Sequence, residues 1–285
     1  MTKNRIIKNI YPLTIKITNL SIQQQLQQFL ITQLLKLDNS NFTNFLSNNN
    51  PISIYRLPKI DSISYRCAIA FQLSSYSPLT LAETIFNTLQ QQPNHSGALS
   101  FTVTLLDPGW LEFTLCDRRL SLWLQSWQSF AYPRKRFTLK SRNHDNLCPL
   151  EYTYARCCTL LRLGDKEGLI KLEKEIFEPY QWPLSTSQPI PWSSLVLNQF
   201  ERSLISQIIT TVDRLENKSN RDEIKLGLAL SETFLSFERY CRIFGKISGH
   251  NSHLSQARLG LVAITQLLLQ GLWLSHMEQL PRDRL

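Results

Sequence analysis

Beyond about residue 120 the chain shows no strand-like alternation, while five stretches repeat their apolar residues at helical spacing. They cover 150–163, 166–177, 194–216, 221–244 and 255–277. In the last, Leu261, Ile264, Leu268 and Leu272 form one apolar stripe. The breaks hold Gly164, Pro179, Pro183, Pro189 and Pro191, the polar run 217–220, and Gly245 with Gly249. Five helices with short breaks predict an all-α bundle over 149–285.

The first part reads differently. Residues 21–37 have a helical pattern, with Ile22, Leu26, Phe29, Leu30, Gln33 and Leu37 on one side and Ser21 as N-cap. Gln23, Gln24, Gln25, Gln27 and Gln28 are read as solvated surface. After an Asn-rich stretch, 52–57 has the β-branched and aromatic content of a strand. Helices are expected over 65–75 and 79–91. Phe101, Val103 and Leu105 then alternate, and Trp110, Leu111, Phe113 and Leu115 return across Asp107-Pro108-Gly109 as a hairpin. A short aromatic helix over 121–130 closes the region. The expectation is an α+β domain over 1–125, a small antiparallel sheet covered by helices.

Between the two lies the most basic part of the chain. Arg134, Lys135, Arg136, Lys140 and Arg142 give 126–148 a charge of +4, against +1 for all of 149–285. Phosphate neutralisation is the obvious use for such a patch; a solvated basic linker is the alternative. Tyr132 and Phe137 flank it, either to stack on bases or to pack on the neighbouring domains.

Length and composition narrow the class. A chain of 285 residues suggests two domains at about 150 residues each. No uninterrupted apolar run approaches the roughly 18 residues needed to cross a bilayer, and residues 1–10 lack an apolar signal core. A soluble, cytoplasmic protein with no membrane partner is expected. The six cysteines form no C-x-x-C pair, which argues against a zinc ribbon or thioredoxin-type motif. Cys157 and Cys158 are read as buried free thiols. No metal site, cofactor or nucleophile–base arrangement is expected.

Several fragments, taken in order, resemble arginyl-tRNA synthetases. Glu151-Tyr152-Thr153-Tyr154-Ala155-Arg156, followed by Leu160-Leu161-Arg162, resembles the Tyr-Ala-His-Ala-Arg helix opening their C-terminal anticodon-binding domain. Phe234-x-x-Phe237-x-x-x-Cys241-Arg242-Ile243 is similar to that domain's Phe-x-x-Phe-Tyr-x-x-Cys-Arg-Val helix. Ala257-Arg258-Leu259-Gly260-Leu261 is similar to its Ala-Arg-Leu-Ala-Leu segment, the source of the domain's name, DALR. In the first part, Tyr65-Arg66-Cys67-Ala68-Ile69-Ala70-x-x-Leu73, then Pro78-x-x-Leu81-Ala82-Glu83, looks like the family's N-terminal additional domain. Pro108-Gly109-Trp110-Leu111-Glu112-Phe113 resembles that domain's Gly-Pro-Gly-Phe-Ile-Asn-Phe turn and strand. The resemblance covers about 15–125 and 149–285.

In the synthetases a nucleotide-binding catalytic domain stands between these modules; here residues 133–148 occupy that place. Neither His-x-Gly-His nor Lys-Met-Ser-Lys-Ser occurs. Those motifs supply the charges that steady the transferring phosphate, so no amino-acid activation is expected. The resemblance implies that the C-terminal domain holds an anticodon stem and loop and that the N-terminal domain touches the tRNA elbow. Arg156 matches a family arginine facing the anticodon, with Tyr152 on the same motif; the alternative is an Arg156 paired with Glu151 or another acid on the bundle surface. Trp110 keeps an aromatic platform. Glu238 replaces a tyrosine able to stack on a base, Pro149 replaces a frequent aromatic, and Glu112 stands where Asn or Gln is common. The candidate nucleic-acid residues are Arg134, Lys135, Arg136, Lys140, Arg142, Arg156, Trp110 and Tyr152. The expected function is that of a non-catalytic tRNA-binding accessory protein, with tRNA and a protein such as a tRNA-modifying enzyme or assembly complex as partners. The alternative is a protein-interaction or assembly factor that kept the fold without the RNA.

Overall fold

A computed structural model describes residues 7–8, 13–15, 20–35, 45, 50–59, 61–73, 77–90, 99–129, 148–174, 177, 181–187, 189–216, 223–245, 252–277 and 280–284. The chain divides into two compact units, Met1–Trp123 and Leu124–Leu285.

The first unit is built on one antiparallel sheet. Its strands are β1 (Ile7–Lys8), β2 (Leu13–Ile15), β3 (Ile54–Arg56), β4 (Ile63–Cys67), β5 (Leu99–Leu106) and β6 (Trp110–Leu115). The order is β1-β5-β6-β4-β3, with β2 also paired to β5. The expected hairpin is β5–β6, in register from Phe101 opposite Leu115 to Leu106 opposite Trp110. Its turn needs Gly109, whose φ is +140° and where an added Cβ would lie 2.6 Å from the Pro78 carbonyl oxygen.

Period-two patterning puts Phe101, Val103, Leu105, Leu111, Phe113, Leu115, Tyr65 and Cys67 in the core. Two helices contribute to that core, α1 (Ile22–Leu34) against β2 and β3, and α3 (Pro78–Gln90) against β5 and β6. Ser21 caps α1 as expected, its hydroxyl accepting from the Gln24 N–H at 3.1 Å. Between β4 and α3 runs the short α2 (Ile69–Gln72), and α4 (Asp117–Ser126) follows the sheet. Trp123 is anchored in the same unit, its indole N–H donating to the Leu20 carbonyl at 2.9 Å.

Two expectations for this region are overturned. The helix over 65–75 is instead strand β4 followed by α2. Tyr65 and Cys67 point into the core while Arg66 between them does not, and pairing with both β3 and β6 outweighs local helix preference. The glutamines of α1 are not all solvated. Gln25 is buried, and Gln23 and Gln27 donate to the Ile54 and Ile52 carbonyls at 2.7 and 3.0 Å. Strand β3 is the last in the sheet order, so the two amides cover carbonyls along its open edge.

The second unit is helical. Its long helices are α5 (Cys148–Lys166), α6 (Gln199–Glu216), α7 (Glu223–Tyr240) and α8 (Ser252–Leu274). A 3₁₀ turn, Trp192–Ser194, precedes α6. The expected helix over 166–177 is absent from the described residues. Gly168 turns the chain at φ +68°, the Leu172 N–H is taken by Asp165 Oδ1 at 2.9 Å, and Leu172 bridges Leu184 antiparallel. That bridge is the sole β pairing among the described residues of this unit.

Helix α8 carries more than one apolar stripe. Every residue from 257 to 273 is buried, because α5, α6, α7 and the 3₁₀ turn all pack on it. By length and composition α8 is apolar enough to cross a bilayer, and here it is the core helix of the unit. At Gly260 an added Cβ would lie 2.4 Å from Trp192 Cη2, so the missing side chain lets the indole lie against the helix. Several buried polar groups of α8 are satisfied from other elements. Arg258 Nε donates to Glu201 Oε1 at 2.8 Å, and Ser255 Oγ to the Ile243 carbonyl at 2.6 Å. The Gln270 amide reaches Tyr154 Oη at 3.1 Å and the Phe177 carbonyl at 3.3 Å.

Candidate nucleic-acid interface

In the first unit, one cross-strand row runs Tyr55, Arg66, Glu112 and Thr104 over β3, β4, β6 and β5. Trp110 opens β6 on the same face as Glu112, two residues away. The Tyr55 ring meets Trp110 edge-on at 6.2 Å, and the Phe71 ring lies tilted at 4.5 Å. The Arg66 guanidinium sits 5.9 Å from the indole centroid. Tyr55 and Phe71 remain 42% and 38% exposed, so the solvent-facing part of this aromatic cluster lies largely on Trp110's neighbours. Glu112 is 8% exposed and pairs with Lys59 through one oxygen and with Arg66 at 3.2 Å through the other. Its carboxylate is thereby neutralised within the sheet face.

In the second unit, Tyr152 and Arg156 lie four residues apart on α5, hence on one face. Tyr152 is 49% exposed. Arg156 is not free: its Nε donates to Glu238 Oε1 at 2.6 Å, with α7 supplying the acid. Glu151 instead accepts from the Arg282 backbone and side chain, each at 3.1 Å. Arg162 donates to the Asp283 carbonyl at 2.7 Å, pairs with its carboxylate, and lies 5.1 Å from the Phe177 centroid. Residues 282–283 are therefore tied along α5 by two ion pairs.

Arg134, Lys135, Arg136, Lys140 and Arg142, with Tyr132 and Phe137, lie outside the described residues. Tyr55, Lys59 and Phe71 were not singled out from the sequence; each is ordinary locally, and only the folding of the sheet brings it to Trp110 or Glu112.

The cysteines offer little exposed chemistry. Cys67, Cys157, Cys158 and Cys241 are buried free thiols, and Cys116 and Cys148 are exposed. Burial pushes Cys67 and Cys158 up to about 12, with the Tyr154 hydrogen bond partly opposing the rise at Cys158. Cys157 is also raised by burial and by neighbouring Cys158, and Cys241 by burial. Among the described residues, no three His, Cys, Asp or Glu side chains converge on one point.

Comparison with known proteins adds one link. The chain is 28% identical over 124 residues to an arginine–tRNA ligase of Synechococcus sp. (strain JA-3-3Ab), a match covering 42% of this chain and 19% of that protein. It is a distant relative of an arginyl-tRNA synthetase. The match spans about a fifth of that ligase's length. No family model matches the chain, and no solved structure matches it.

Proposed function

We propose that this chain is a non-catalytic tRNA-binding accessory protein derived from an arginyl-tRNA synthetase. In this reading 1–125 is a synthetase-type N-terminal module, 126–148 a basic linker, and 149–285 a DALR-type anticodon-binding bundle. The observation that carries it is the distant relationship to an arginine–tRNA ligase, joined to motifs of both terminal modules without the catalytic signatures between them. The linker charge of +4 supplies phosphate contacts, and the Tyr55–Phe71–Trp110 cluster supplies aromatic surface. A tRNA held this way is suited to being presented to a cytoplasmic tRNA-modifying enzyme.

The test is binding of the full chain to bulk tRNA across a salt series. Affinity is expected to fall steeply with salt, and Arg134, Lys135 and Arg136 all changed to Glu to abolish most of it. Indifference to tRNA at low salt refutes the reading.

The second reading is an assembly or interaction factor that kept the fold without the RNA. It is favoured by the Arg156–Glu238 pair, which occupies the guanidinium expected at an anticodon, and by the near-neutral charge of 149–285, only +1. Co-purification from cells separates the two, by whether tRNA or only protein is retained.

A further inference from the structure

We infer that the turn before α6 and the end of α7 form a docking surface for a protein partner, one that presents acidic residues around an apolar side chain. Both readings above call for a protein partner without saying where it docks, and this surface does not depend on RNA binding.

Among the described residues, Val196 is the most exposed large apolar side chain, at 66%. A single exposed valine is ordinary, but this one is held outward by a built turn. Leu195 before it is buried, and Leu197 after it adopts φ +56°, which is costly for a residue with a side chain. Arg202 Nε donates to the Leu197 carbonyl at 2.8 Å. Asn198 caps α6, its Oδ1 accepting from the Phe200 and Glu201 N–H groups at 3.0 Å each. The turn is thus fixed before any partner arrives, which lowers the ordering cost of docking.

The end of α7 lies beside this turn. The Asn198 amide reaches Cys241 Sγ at 3.6 Å, and the Phe200 ring stacks on Tyr240 at 4.2 Å. Tyr240 is 56% exposed. Phe200 covers one side of its ring and the Arg239 guanidinium lies over it, 5.5 Å from the centroid, which leaves mainly the ring edge. A ring edge beside a branched aliphatic side chain suits apolar side chains of a protein; a nucleotide base needs an open ring face.

Charge selects the partner further. Arg239 and Arg242 are exposed, and neither pairs with a carboxylate among the described residues. Arg202 adds a third guanidinium at the turn. The acids adjacent in sequence are consumed elsewhere: Glu238 holds Arg156 at 2.6 Å, and Glu201, wholly buried, holds Arg258 at 2.8 Å. The next acid back along α7, Glu232, is about 10 Å along the axis from Arg239, a Debye length away. The surface is therefore an apolar centre with a positive rim. Its complement is an apolar side chain ringed by Asp or Glu, as on an acidic amphipathic segment.

The experiment is fluorescence anisotropy of the full chain with three labelled synthetic peptides of helical spacing, composed of Leu with Glu, Leu with Lys, and Ala with Glu. The Leu–Glu peptide is expected to bind, and the other two to bind at least about ten-fold more weakly. Val196→Asp is expected to weaken the Leu–Glu peptide about ten-fold. Arg239→Glu with Arg242→Glu is expected to weaken it at least as much and to remove most of its salt dependence. All three side chains are exposed, so thermal unfolding of both variants should match wild type. Bulk tRNA is titrated into the same proteins, and Val196→Asp is expected to leave its affinity unchanged. If wild type binds none of the peptides, or both variants bind the Leu–Glu peptide as wild type does, the docking surface is overturned. If Val196→Asp weakens tRNA as much as peptide, the surface belongs to RNA and protein docking is overturned. If wild type binds the Leu–Glu peptide as expected but ignores tRNA, this surface stands and the tRNA-binding reading falls.

Discussion

Replacing Glu238 by Gln removes the carboxylate that holds Arg156 at 2.6 Å and tests what that pair does. The two side chains are 38% and 18% exposed, so solvent screens their attraction. The pair is therefore worth about 1 kcal/mol, well below the roughly 3–5 kcal/mol lost when a fully buried pair is broken. That loss lowers the melting temperature by about 2–4 °C for a chain of this size. RNA binding should move the other way. One negative charge leaves the surface and one guanidinium becomes available, so the log–log salt slope steepens by about 0.7–0.9 and low-salt affinity rises several-fold. The assay is a double-mutant cycle, titrating tRNA into wild type, E238Q, R156A and the double variant across a salt series. In the E238Q background R156A should erase the gain and return affinity to the wild-type level, whereas R156A alone bares the Glu238 carboxylate and should weaken binding. An unchanged salt slope and affinity in E238Q would show that Arg156 is not released to RNA, and would refute the reasoning.

Three further outcomes follow from the packing. Arg258→Met leaves Glu201 as a buried unpaired acid and should cost about 3–5 kcal/mol in urea unfolding. Adding Glu201→Leu should recover much of it. Gln23→Ala with Gln27→Ala should cost about 2 kcal/mol and, by baring the edge carbonyls of Ile52 and Ile54, give concentration-dependent association in light scattering. Alkaline titration should destabilise the fold. Cys67 and Cys158 have raised values of about 12, so well below pH 9 each thiol is protonated folded and unfolded and contributes no slope. Between pH 9 and 12 the unfolded chain releases these protons while the folded chain keeps them, so stability falls by about 1.4 kcal/mol per pH unit per thiol. Cys158→Ala should remove one such increment from urea-derived stabilities at pH 8.5 and 10.5, and an unchanged slope would disprove the burial effect.

Helix existence is legible wherever apolar spacing persists over several turns and a cap is present. Ser21 before Ile22 and the Pro-Gly turn before Trp110 act through local backbone chemistry, so neighbours in the chain suffice to reveal them. Residues 65–75 mislead because Tyr65, Cys67, Ile69 and Ala70 suit a helix face nearly as well as a strand followed by a turn. The choice is made by β3 and β6 on either side. Residues 166–177 mislead because a helical spacing says nothing of Asp165 capturing the Leu172 N–H, or of Leu184 arriving from beyond Pro183.

The candidate site divides along the same line. The concentration of Lys and Arg in 126–148 and the synthetase-like motifs are properties of order along the chain, and the sequence alone determines them. Tertiary structure decided which charges are spent. Arg156 meets Glu238 across two helices, Glu112 meets Lys59 and Arg66 across three segments, and Phe200 stacks on Tyr240 from a different helix. Electrostatic and stacking energies depend on distances of a few ångströms, and chain separation carries no record of those distances until the fold has closed.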